Sequence, residues 1–259
     1  MARWRGLGVA AIAALSFVAV KVLPWALGFA SGKYLYQTVA GSPDAQTLTT
    51  TQVSEQIDRQ GSQVFLAIKQ EFPDDYEAVV EKIATVARLG NVEQVRNASR
   101  MAVAGLRQRY ASLLSSAPAS KAAEALGAQL AMLNHVMARE TAATCNNYLR
   151  QGPGALSTPD QDFLPDMDKI GATLFHAFGA AKNVGLPAVA ARDEDWSLLA
   201  EAFISSGGTQ AEMDAIANVS PEFEGLCPAI AKLYAAALSL QGEPGRHIKT
   251  TLLYEIARN

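Results

Sequence analysis

Cys145 and Cys227 are the only cysteines in the chain, and they stand far apart in it. That spacing excludes a C-x-x-C redox site and a C-x-x-C-H haem attachment. In an oxidising compartment an even pair reads as one structural disulfide, with two buried thiols as the competing reading. Neither cysteine has a His or Lys close in sequence to lower its pKa, so nothing supports a reactive thiolate.

His135, His176 and His247 fall on three separate helical patterns, without the H-E-x-x-H or E-x-x-H spacing that holds a metal. They read as packing residues, and no metal is expected. Asp160, Asp162, Asp166 and Asp168 invite a calcium reading. The central Gly and closing Glu of a calcium loop are missing, however, and Pro165 disturbs the spacing. A solvated linker that places negative charge at a helix start is the simpler expectation.

Arg96, Arg100 and Arg107 stand at i, i+4 and i+11, one stripe of a helix. The stripe reads either as a docking face for an acidic partner or as a solvated face with local pairs such as Glu93 to Arg96. A hydrolase of envelope polymers would need a carboxyl in a cleft, for which Glu140 is the one candidate. No nucleophile-elbow, S-x-x-K or P-loop motif occurs, so acyl transfer, phosphoryl transfer and a bound cofactor find no motif.

The elements that must position these residues are helical. Alanine is the commonest residue and aromatics make up only 7%, a composition with high helix propensity. No run alternates with period two and no Asn-Gly or Asp-Gly turn occurs. Apolar residues recur at three and four positions over 51–71, with Gly61 a weak point, then over 76–87, 91–116 and 119–150. Further helical patterns span 167–183, 194–205, 211–217, 221–241 and 247–258. Pro and Gly punctuate these runs, and short connections force neighbouring helices antiparallel. The expected fold is all-α: an N-terminal hydrophobic helix followed by an antiparallel multi-helix bundle. It divides into a segment 1–41, a first bundle half 42–156, and a second half 157–259 packed on the first.

Residues 6–31 are almost unbroken apolar sequence, interrupted by Lys21 and bent at Pro24. As a helix they would reach about 39 Å, enough to cross a hydrocarbon core of about 30 Å. An uncleaved anchor and a cleaved signal peptide both fit. Trp4, Trp25, Tyr34 and Tyr36 suit the interfaces of the first, and Arg3 and Arg5 suit the n-region of the second. The anchor is the leading expectation. Either way Arg3 and Arg5 stay cytoplasmic and residue 42 onward lies outside.

Charge is divided along the chain. Of 22 Lys and Arg, four lie in 1–41, where none of the 25 Asp and Glu falls, so residues 42–259 carry −7. A body so acidic is a poor match for a polyanion, which excludes nucleic acid as the expected partner. The function class that remains is a membrane-anchored component of a bacterial cell envelope. Residues 42–259 would stand in the periplasm, bind a protein partner or assist assembly, and use no cofactor. Two alternatives are an envelope polysaccharide or peptidoglycan hydrolase and a periplasmic inhibitor or immunity-type protein.

Overall fold

Thr49 starts the order. Its hydroxyl accepts the Gln52 amide N–H while the Gln52 side chain accepts the Thr49 amide N–H, a capping box that opens α1, Thr50–Gln60. The computed structural model describes residues 48–89, 92–156, 162–218, 220 and 222–258. Gly61 closes α1 in the left-handed region at φ 64°, so the expected 51–71 helix becomes two, with α2 at Gln63–Glu71. Phe72 separates α2 from α3, Pro73–Ala87, where Pro73 sits at the first helical position and Asp74 and Asp75 meet the positive end of the dipole.

Then come α4 at Val92–Tyr110, a 3-10 turn at Ala111–Ser116, and α5 at Ala119–Arg139. The 119–150 pattern breaks at Glu140, where the backbone turns extended and Thr141 caps a new helix, α6 at Ala142–Gln151. A second 3-10 turn, Gly152–Ala155, carries Gly152 at φ 72°. The rest is α7 at Leu164–Val184, α8 at Asp193–Ser205, α9 at Gln210–Asn218, α10 at Leu226–Ser239 and α11 at Gly242–Arg258. All regular structure among the described residues is helical, with no strand.

The last helix begins five residues earlier than its apolar pattern, because Pro244 is harmless in a first turn and Gly245 permits a close crossing. A Cβ at Gly245 would lie 2.2 Å from the Leu240 carbonyl oxygen. Lys249, buried one turn later, donates its ammonium to the Ala237 and Leu240 carbonyls at the end of α10.

Two helices organise the packing. α7 lies against α2, α5 and the first 3-10 turn, and α5 lies against α7, α10, α11 and α6. Phe65 of α2 and Phe175 and Phe178 of α7 are fully buried where those helices meet, and Phe72 stacks on Tyr110 at 4.1 Å between ring centroids. One apolar cluster runs from Val53 to Ala257 without a gap between the sequence halves. Full burial of each such aromatic or aliphatic side chain stabilises the fold by about 1.5–3 kcal/mol. Residues 1–47, including the apolar stretch 6–31 and its Trp and Tyr residues, lie outside the described residues. No helix among those described is long and apolar enough to cross a membrane.

Candidate functional site

Cys145 of α6 and Cys227 in the first turn of α10 are joined by a disulfide, and both are buried. The neighbouring Asn146 completes the joint: its amide donates to the Phe223 carbonyl at 2.9 Å, and its carbonyl accepts the Cys227 N–H at 3.3 Å. Gly225, at the N-cap of α10, has no side chain to satisfy the helix's first amides. Asn146 therefore supplies that cap from another helix.

Of the aspartates after residue 161, Asp162 is exposed and Asp166 puts negative charge in the first turn of α7, as expected. Asp168 is buried, which corrects the solvated reading there. Asp162 pairs with Arg139 at 2.6 Å and Asp166 with His135 at 2.6 Å. Asp168 is buried in the first turns of α7 and accepts three bonds across the molecule: the Ser62 hydroxyl at 2.9 Å, the Gln63 N–H at 2.6 Å and the Val64 N–H at 3.1 Å. Burial pushes the Asp168 carboxyl up against the pull of these donors. Ser62 does not cap α2 with its own side chain, so Asp168 caps it from α7. Asp160 lies outside the described residues, among which no three His, Cys, Asp or Glu gather as a metal site.

Each histidine directs Nδ1 at a carboxylate on another helix. His135 of α5 meets Asp166 of α7, His176 of α7 meets Glu71 of α2 at 2.9 Å, and His247 of α11 meets Asp195 of α8 at 2.9 Å. The Glu71 carboxylate fits because α7 carries Gly179 there; a Cβ would stand 2.0 Å from its Oε2. The third pair is the most enclosed, with Asp195 also accepting the Arg192 N–H and His247 Nε2 facing Glu243 at 3.4 Å. Burial pushes the Asp195 carboxyl up, but the Arg192 amide and His247 outweigh it and hold the group below the usual carboxylate range.

Because the folded-state pKa lies below the unfolded one, the stability from Asp195 is fully present above the unfolded value of about 3.9. It is lost as pH falls through the lower folded value. Asp195→Asn should cost about 1.5–3 kcal/mol at pH 7, the range for hydrogen bonds to a charged group, and should flatten the acid limb below about pH 4. Urea unfolding from pH 2 to 7 checks both; an acid limb as steep in the variant as in the wild type would refute the assignment.

The arginine stripe divides. Arg96 lies near Glu93 at 3.5 Å, and Arg100 is exposed with its guanidinium on Asn97. Arg107 is buried, which corrects the expectation of one exposed face. The reason is tertiary: α11 packs against the C-terminal part of α4 and covers the stripe there. The Arg107 guanidinium donates to the Ile256 carbonyl at 2.9 Å, in the last turn of α11, where the helix dipole is negative. Burial lowers its pKa to about 10. Arg107→Ala should cost about 2–3 kcal/mol through a lost charged hydrogen bond and a cavity, and Arg107→Met less. Arg96→Ala and Arg100→Ala should each stay within about 0.5 kcal/mol in urea melts. Equal losses at all three positions would place Arg107 wrongly.

Two concave regions lie on the surface of the described residues. A groove of about 1000 Å³ between α1 and α3 is lined by Glu55, Asp74, Glu77 and Glu81, all exposed, with Lys69 nearby held by Asp58 at 2.7 Å. A cavity of about 370 Å³ lies between the first 3-10 turn, the loop between α7 and α8, and α11, and is lined in part by Glu255. Burial pushes the Glu255 carboxyl up, and Arg258 at 2.8 Å opposes that. Glu140, at the end of α5, lines neither.

Comparison with protein-family models, curated proteins and solved structures found no match.

Sequence reasoning missed the inter-helix pairs, although some signals were present. Asp168 falls in phase with Leu164, Gly171 and Phe175, on the apolar side of its helix, and Arg107 falls one turn from Val103. Glu243 precedes His247 by four residues, which puts both on one helix face. An ionised residue at an apolar position signals a buried partner without naming it.

Proposed function

We propose that this chain is an exported protein, anchored in a bacterial inner membrane by residues 6–31, whose antiparallel helical body works in the periplasm as a binding or assembly component. The supporting observation is the buried Cys145–Cys227 disulfide. Structural disulfides persist outside the reducing cytoplasm, and an apolar N-terminal stretch behind Arg3 and Arg5 is the means of leaving it.

A binding role suits the way the reactive residue types are used. Both cysteines are joined, and each histidine holds a carboxylate on another helix. These groups brace the body, and a braced helical body is suited to presenting surfaces to partners. The same topology serves a protein whose leader is cleaved and whose body is released to the periplasm.

The test is a fusion after Asp44 of a reporter active only outside the cytoplasm, paired with a cytoplasm-only reporter at the same point. Activity of the first alone is expected. Activity of the second alone would overturn the export reading. N-terminal sequencing of the purified protein separates anchor from leader: a start at Ser31 or Ser42 means cleavage.

A further inference from the structure

The cavity beside α11 holds more hydroxyl groups than the fold uses. Ser115 Oγ donates to the Ser112 carbonyl, which leaves its lone pairs. Thr251 Oγ1 accepts the Ala191 N–H at 2.8 Å, which leaves its hydrogen. The Ser112 and Tyr254 hydroxyls bond to no described residue. These four groups come from two different elements and converge on one cavity. The third wall is Ala188, Val189 and Ala190, in a loop that the Val189 N–H fixes to the Ser115 carbonyl at 3.0 Å.

We propose that this cavity binds one neutral pyranose unit, a hexose or an N-acetylhexosamine. A sugar ring carries hydroxyls that both donate and accept, which the Ser, Thr and Tyr hydroxyls match, and C–H faces that the alanine and valine methyls match. Charge selects against ionised ligands. The carboxylate in the cavity, Glu255, is already engaged by Arg258. An anion would meet that carboxylate, and a cation would have to compete with Arg258 for it. The size agrees: 370 Å³ is about a dozen water volumes and sits at the small end of ligand pockets.

This names a ligand class for the binding role proposed above. Its test uses purified protein, so failed sugar binding and failed export are separate results. The full-length chain in detergent is titrated with glucose, N-acetylglucosamine, glucose 6-phosphate and glucosamine, followed by saturation-transfer NMR and calorimetry. Saturable, millimolar binding of at least one of the two neutral sugars is expected, with the charged sugars at least about tenfold weaker. Tyr254→Phe and Ser112→Ala, which remove hydroxyls with no role in the fold, should each weaken binding about three- to tenfold, as loss of one hydrogen bond does. Two results overturn the proposal: no saturable binding of either neutral sugar up to tens of millimolar, or unchanged affinity in both variants.

Discussion

Cys145→Ala/Cys227→Ala is expected to lower the unfolding free energy by about 4 kcal/mol and Tm by roughly 8–16 °C. The bond spans 82 positions of sequence, so it removes a large loop-closure entropy from the unfolded chain. It also acts where α10 has little else at its start: Gly225 brings no side-chain cap, and Asn146, beside Cys145, provides one. Loss of the bond should therefore loosen α10 first, and Asn146→Ala should reproduce a smaller share, about 1–2 kcal/mol. Against a typical net stability of about 5–15 kcal/mol, the disulfide alone is a major contribution. Calorimetry of the oxidised protein, the reduced protein and the double variant measures it. A variant with the Tm of the oxidised wild type would show a bond that carries no net stability.

Asp168→Ala is the second large effect, expected at about 3 kcal/mol. One carboxylate serves a hydroxyl and two backbone amides at the start of α2, all drawn from residues more than a hundred positions away. Removing it leaves the buried Ser62 hydroxyl and the Val64 amide without an acceptor, and such orphaned donors cost about 1–3 kcal/mol each when water cannot reach them. Asp168→Asn separates shape from charge. Its single carbonyl oxygen can still accept from Ser62 and Val64, but its NH₂ then faces the Gln63 N–H, donor against donor. About half the alanine loss is expected for asparagine. Native-state hydrogen exchange should show α2 opening more readily in both variants while α10 and α11 keep their protection. Uniform loss of protection would instead make Asp168 a general core residue.

The helices were legible from the sequence because amphipathic periodicity is local, and Pro and Gly mark where each run stops. The breaks at Gly61 and Glu140 were less legible: Gly61 was visible as a weak point, whereas nothing between 119 and 150 announced a new cap at Thr141. The disulfide was legible from an even cysteine count combined with an N-terminal stretch that reads as an export signal or anchor. The Asp168 cap, the three histidine clips and the burial of Arg107 were not, because each depends on a helix far away in sequence. Periodicity gives the direction in which a side chain leaves its own helix but not which neighbour covers it. Arg100 and Arg107 show this directly, since they share a stripe and only the second is covered by α11. The hydroxyl cavity was hidden for the same reason: Ser112, Ala190 and Tyr254 meet only after the chain folds.

Residence of the helical body in an oxidising compartment, as proposed, and its closure there by the Cys145–Cys227 bond are checked by trapping thiols in cells that express the full chain. Rapid acid quenching, alkylation of free thiols under denaturing conditions and mass spectrometry without reduction report the state of Cys145 and Cys227. A linked pair of peptides and no alkylated cysteine is expected; two alkylated cysteines in freshly quenched cells would overturn the proposed compartment.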